Sequence, residues 1–321
     1  MQKIFPGVFM LEGEIGGRPL QIMYLQGDEA SLLLDTGCGH DPEKFIVPQM
    51  REAGGDPGSL RWILNSHPDL DHVGGNYAMK QFAPQAILAC GDADRASCVS
   101  LEGLMKFRYD VYRQDHQIFY DAETVTWMDA EGGKPQPIEV TFHGGEHLRL
   151  GTDWQLEVLA VPGHSKGHVA LYDRKHQALY AADAIHGRGY WSRGGEPKLC
   201  PTYLDVDDYL GTIQLIEHLP INTYIGCHWP VKEGSQVSAF CSESRQFVDR
   251  VDRLLAESLK HPRSLREICL SLGPVLGDWP RQVDIELVYA LGGHLARSVG
   301  LGRIKSQIRS ADPRVLEYWL A

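Results

Sequence analysis

Ser66-His67-Pro68-Asp69-Leu70-Asp71-His72 follows directly on the apolar run Trp62-Ile63-Leu64. Two imidazoles and two carboxylates crowd together there, at the end of an expected strand. Neutral imidazole nitrogen and carboxylate oxygen are the donors that bind divalent first-row metals, and one chain reversal can aim all four at a common point. The plainer reading of the same residues is a polar turn in which Asp69 caps the next helix. The rest of the chain decides between the two.

Upstream, residues 7–35 alternate and then become continuously apolar, which predicts strands over Val8–Glu12, Leu20–Leu25 and Ala30–Asp35 with Gly16-Gly17 and Gln26-Gly27-Asp28 as turns. A helix is expected from Pro42 to Ala53, stopped by Gly54-Gly55. Downstream, a helix from Gly75 to Phe82 and a strand Ala86–Ala89 complete a strand, loop, helix, strand order. That order is an α/β signature in which metal-capable residues lie where strands end. Residues 92–137 are less regular, helical at first and then loop-like. They carry Phe107, Tyr109, Tyr112, Phe119, Tyr120 and Trp127 and read as a lid or packing flap. Strands are expected again over Ile138–Phe142, His147–Leu150, Gln155–Val161, Val169–Tyr172 and Ala178–Ala182. A loop then covers 187–201, a helix Val206–Leu219 and a strand Thr223–Gly226. Beyond Ser235 the pattern turns helical. The composition shift near residue 240 divides a catalytic unit, 1–240, from a C-terminal unit, 241–321.

Composition narrows the function. With 43% hydrophobic and 23% charged residues the chain is ordinary for a globular protein. A net charge of -11 argues against wide contact with nucleic acid or anionic membrane. Seven cysteines without a Cys-x-x-Cys pair suit buried thiols in a reducing compartment. No stretch reaches 18 uncharged apolar residues, and the first residues, broken by Pro6 and Gly7, do not read as a signal h-region. A cytoplasmic enzyme is expected, with a small-molecule substrate and no membrane contact.

Three further positions follow apolar strands at abrupt turns: His164 in Val161-Pro162-Gly163-His164-Ser165, Asp183 after Leu179-Tyr180-Ala181-Ala182, and His228 after Tyr224-Ile225-Gly226-Cys227. With His67, Asp69, Asp71 and His72 they make enough donors for two metals sharing one carboxylate. This ordered set resembles the metallo-β-lactamase superfamily, with its His-x-His-x-Asp-His stretch, then His, a bridging Asp and His. Leu33-Leu34-Asp35-Thr36-Gly37 is similar to the family's Asp-Thr-Gly after an early strand, and Pro162-Gly163-His164-Ser165-Lys166-Gly167-His168 to its Gly-His loop. The resemblance covers roughly residues 5–232 and implies a four-layer αβ/βα sandwich. It further implies a first metal held by His67, Asp69 and His164, a second by Asp71, His72 and His228, and Asp183 bridging. Asp35 would orient a ligand imidazole, and His168 would be structural.

Asp69 departs from the pattern, since a second His normally stands there. A carboxylate is a harder donor, favouring iron or manganese somewhat over zinc, without excluding zinc. Asp69→His is accordingly expected to move metal preference toward zinc. Two divalent ions would lower the pKa of a bridging water and polarise a carbonyl or phosphoryl oxygen, with Asp71 both ligating and orienting the hydroxide. The expected reaction is hydrolysis of a small ester, thioester, lactone or amide. One rival is a di-iron oxidoreductase, since the flavodiiron branch also has a carboxylate at the Asp69 position. Another is a metal-dependent nuclease. His186, Tyr190, Trp191 and Trp229 are candidate substrate contacts by their places after ligands. Leu287–Leu295 with Gly300–Ile304 resembles the helical, winged-helix-like cap of the lactamase-like β2 branch, implying either an active-site wall or a homodimer contact.

Overall fold

The computed structural model describes residues Met1–Ala321. Its first sheet is built in chain order from β1 (Gln2–Phe5), β2 (Val8–Ile15), β3 (Arg18–Gln26), β4 (Ser31–Leu34), β5 (Trp62–Asn65), β6 (Ile87–Gly91) and β7 (Val140–Phe142). The hairpin-linked strands β1 to β4 pair antiparallel, and β4 to β7, joined by long crossovers, pair parallel. The next strands are β8 (His147–Gly151), β9 (Trp154–Ala160), β10 (Val169–Asp173) and β11 (Ala178–Ala182). A short ribbon of β12 (Tyr190–Trp191) and β13 (Pro197–Leu199) interrupts the expected loop, and β14 (Thr223–Gly226) and β15 (Lys232–Glu233) follow. The second sheet runs β15-β14-β11-β10-β9-β8, with β11 and β14 parallel.

Period-two alternation of the apolar residues stacks these sheets. Val8, Met10, Met23, Leu25 and Leu64 of the first sheet meet Val158, Val169, Leu171 and Tyr180 of the second. The intervening residues Leu11, Ile22, Leu33 and Ile63 bury against Ile46, Met50 and Met79 of the helices outside the first sheet. Ala170, Leu179 and Ala181 bury against Tyr209, Ile213 and Phe247 of the helices outside the second. At the central strands both faces of each sheet are therefore dry. That is why β4, β10 and β11 read as unbroken apolar runs.

The helix Val206–His218 starts as its sequence predicts, with the Asp205 carboxylate accepting from Asp208 N at 2.9 Å. Helix Ser235–Ser258 is one continuous element, so a boundary at 240 falls inside it. Its buried Phe247 and Val251 share one core with Tyr209 before them and Leu265 after. Ser264 and Glu267 form a reciprocal capping box that opens the helix Leu265–Leu276. The C-terminal unit is not purely helical. After the helix Val288–Gly300, β17 (Ile304–Ala311) and β18 (Arg314–Leu320) form a hairpin that pairs with β16 (Arg263–Ser264). Lys305–Arg309 are all exposed, so the apolar alternation that announces a strand is missing there. The second half of the 92–137 insertion also differs from expectation. Ala122–Glu131 is a helix, capped by Asp121 accepting from Thr124 N at 2.8 Å.

Candidate metal centre

The turns after β4, β5, β9, β11 and β14 gather at one rim of the two sheets, the carboxyl ends of the parallel strands. After β5 the chain is pinned before it turns. Asn65 Nδ2 donates to His72 O at 3.2 Å and Thr36 N to the same oxygen at 2.9 Å, while Asn65 and Asn76 bond side chain to side chain. Asp35, leaving β4 at φ 70, accepts from Ser66 N at 2.7 Å. Ala182, immediately before Asp183, also has a positive φ of 44. Non-glycine residues are disfavoured in that region, and here the first aims its own carboxylate and the second that of the next residue. Gly163 has φ +127, and a Cβ there would lie 2.5 Å from the Tyr209 backbone. Only glycine lets His164 approach that closely.

The four expected imidazole ligands share one orientation. Nδ1 of His67 meets Ser66 Oγ at 2.9 Å, that of His72 meets Asp35 Oδ2 at 2.8 Å, that of His164 meets His186 Nε2 at 3.2 Å, and that of His228 meets Pro19 O at 2.6 Å. Each Nε2 is left facing inward. His67 Nε2, His72 Nε2, Asp71 Oδ2 and Asp183 Oδ1 are buried without a hydrogen-bond partner, which in a native interior calls for an occupant. His228 Nε2 lies 3.3 Å from Asp71 Oδ2 and 3.4 Å from Asp183 Oδ2, and His72 Nε2 3.9 Å from Asp183 Oδ1. Donors about 2.1 Å from one tetrahedral ion stand roughly 3.4 Å apart. The residues therefore fit a divalent metal, and the Cys227 thiol lies close enough to belong to the same cluster.

Charge follows the same pattern. Burial works against a charged His72, but the Asp35 carboxylate outweighs it and holds the imidazole well above its ordinary value. His228 is raised likewise, with Asp183 overriding burial. His67, buried and facing His72, is pushed well below. Burial opposes ionisation of Asp71, yet His72 and His228 hold its carboxyl down.

Asp69 is held differently. It precedes the short helix Leu70–Val73 but makes no side-chain cap. Its carboxylate is gripped by both Nε and Nη2 of Arg108, the latter at 2.8 Å, and its Oδ2 lies 3.0 Å from His164 Nε2 and 3.6 Å from His67 Nε2. Arg108 is 2% exposed, donates through Nη1 to His164 O at 2.7 Å, and reaches Nη2 to within 3.0 Å of His164 Nε2. Burial would raise the Asp69 carboxyl, but Arg108 holds it well below the usual range. Nothing in Met105-Lys106-Phe107-Arg108-Tyr109 marks this arginine as internal, and the sequence reading missed it.

A cavity of about 250 Å³ opens over these groups, with Asp69, Asp71, Asp183 and His228 in its floor. Tyr109, Tyr120 and Trp127 of the insertion and Glu286 and Tyr289 of the C-terminal unit wall it, and Arg18 stands at its edge. Of the expected substrate contacts only Tyr190 lines this cavity, with its hydroxyl 3.1 Å from Asp183 Oδ2. His186, Trp191 and Trp229 line a separate groove of about 680 Å³ beyond His228. His186 is fully buried and holds His164, so the geometry makes it a positioning group. His168 stacks on His67 at 4.7 Å and bonds Ala181 O at 3.2 Å, with no place among the inward-facing donors. All seven cysteines are free and buried.

The human acyl-coenzyme A thioesterase MBLAC2 is 27% identical over 235 residues, covering 66% of this chain and 73% of that protein. The hydroxyacylglutathione hydrolase of Methylococcus capsulatus is 24% identical over 268 residues, covering 80% and 85%. A metallo-beta-lactamase family protein of Thermus thermophilus has the same fold from end to end, with a TM-score of 0.75 over 99% of this chain and 100% of that one at 20% identity. The likeness includes the C-terminal unit. No helix is long and apolar enough to cross a membrane. Residues 15–228, from the end of β2 to the last of the histidines at the rim, match the model of the metallo-beta-lactamase superfamily, and the chain belongs to that superfamily, as a hydrolase like its named relatives.

Proposed function

We propose that this protein is a metal-dependent hydrolase of small thioesters. The observation that carries the reading is the set of buried, partnerless donor atoms of His72, Asp71 and Asp183 converging with His228 in the floor of a walled cavity. The substrate class comes from the relatives, since acyl-coenzyme A and hydroxyacylglutathione are both thioesters. A divalent ion held by Asp71, His72, Asp183 and His228 supplies Lewis acidity and makes water nucleophilic near neutral pH. Asp71 would hold and orient the attacking water through its free oxygen. Asp35 fixes the His72 tautomer, and the Tyr190 hydroxyl restrains Asp183. Water adds to the acyl carbon, the carbon–sulfur bond breaks and the departing sulfur takes a proton. The aromatic wall of Tyr109, Tyr120 and Trp127 would shield the acyl group from bulk water, and Arg18 would meet an anionic part of the substrate. Metal-reconstituted protein should release free thiol from short acyl-coenzyme A or acylglutathione substrates, measured with a thiol-reactive dye. Failure on thioesters, esters and lactones alike, with consumption of oxygen by an iron-loaded form, would replace this reading with the oxidoreductase one.

A further inference from the structure

We propose that the centre takes one ion tightly rather than two, because the Arg108 guanidinium is the resident cation of the first ligand group. This inference rests on the reading of the rim as a metal centre, not on the choice of substrate. A guanidinium is charged at every accessible pH, and buried away from water it must lie against a carboxylate. Asp69 is the only carboxylate within its hydrogen-bonding reach, and both Asp69 oxygens are engaged. The pairing leaves His67, His164 and Asp69 with no net charge to offer, and puts Nη2 within 3.0 Å of the His164 Nε2 that a first ion would need. A divalent ion placed there would stand beside a fixed positive charge in a site that screens poorly. The second group differs in charge and in the pairing of its carboxylates, while the first keeps only His67 Nε2 free. Asp71 and Asp183 carry two negative charges, no arginine or lysine is bonded to either, and both keep a free buried oxygen.

Arg108 also accounts for Asp69 itself. A histidine in that position would press a neutral or charged ring against the guanidinium, whereas a carboxylate accepts it in a two-point grip. The residue that departs from the family pattern and the buried arginine are thus one device. The insertion carries the arginine, so the wall of the cavity and the charge of the floor arrive on the same segment. Leu70 N donates to Tyr109 Oη at 3.3 Å, which ties that segment to the ligand turn.

The test counts ions without reference to turnover. Metal-free full-length protein, titrated with zinc against a chelating indicator and weighed by native mass spectrometry, should take up one tight equivalent. Arg108→Met should take up two, the additional one at least about 10- to 100-fold tighter than any second ion in the unaltered protein. Anomalous scattering at the zinc edge, from crystals of unaltered protein grown in excess zinc, needs no variant and should give one peak, at Asp71, His72, Asp183 and His228. Two tight equivalents or two full peaks in the unaltered protein would overturn the inference while leaving the metal centre intact. One equivalent in both proteins, with Arg108→Met folded by circular dichroism, would also overturn it. No tight equivalent would remove the metal-centre reading and this inference together.

Discussion

The two halves of the rim use similar residues to opposite ends. On one side Asp69 and His164 close around Arg108, the carboxylate is taken up by an internal ion pair, and only His67 keeps a free ring nitrogen. On the other, Asp71, His72 and Asp183 keep buried donor atoms free beside His228, and the supporting contacts fall on the far side of each ring. The difference teaches that a ligand's identity does not settle its availability. A carboxylate bound to a buried guanidinium is structural glue, while the same group two residues later, without such a partner, is a candidate for holding an ion.

The comparison can be broken most directly by removing one donor from each side. Asp183→Ala should lower zinc affinity by well over about 100-fold, beyond what loss of an outer partner costs, and abolish thioesterase activity. His67→Ala should leave the ion count measured by native mass spectrometry unchanged, and equal losses from the two would erase the asymmetry. Asp69→Ala tests the glue. It should cost about 3–5 kcal/mol in urea denaturation by stranding Arg108, with much of that recovered in the Asp69→Ala, Arg108→Met double variant. The same ion pair overrides the expectation that Asp69→His merely retunes metal choice, so that variant should unfold at lower denaturant. Asp35→Asn sharpens the other side. His72 loses the carboxylate on its Nδ1, and zinc affinity should fall about 10- to 100-fold with little change in thermal midpoint once metal is saturating.

The smallest effect is expected from Glu286, which overlooks the first group from the C-terminal unit with only the Tyr120 hydroxyl, at 2.9 Å, for support. Burial pushes its carboxyl up to about 7. The folded state therefore keeps a proton that the unfolded chain releases near 4.5, so this contribution is complete below 4.5 and is lost as pH rises through about 7. Glu286→Gln should flatten that slope, raising the melting temperature at pH 8 by about 2 °C relative to the unaltered protein, with no gain at pH 4. An identical pH profile in the two proteins would place the carboxylate in contact with solvent.

Much of the fold was legible because both faces of the central strands are dry. β4, β10 and β11 announce themselves as unbroken apolar runs, and the turn residues after them supply the donors. The hairpin of β17 and β18 was not, since Lys305–Arg309 face water and leave no periodic signal. Trp229 and His186 looked like substrate contacts from their neighbours in the chain, yet lie on the far side of His228 from the cavity. Chain proximity to a ligand does not determine on which side of it a residue falls, because the strand-end turns reverse direction within one or two residues.

The seven candidate donors and their order were legible in the sequence alone, because all of them follow within a few residues of the ends of four buried strands, β5, β9, β11 and β14. So were the two stacked sheets, the Asp35 support and the superfamily likeness. What only the tertiary structure decided is which donors remain free. Arg108 lies 39 residues from Asp69 in the chain and 56 from His164, in a segment with no periodic pattern. Only the packing of the insertion onto the rim strips water from its guanidinium, and a buried cation then has to take the nearest carboxylate.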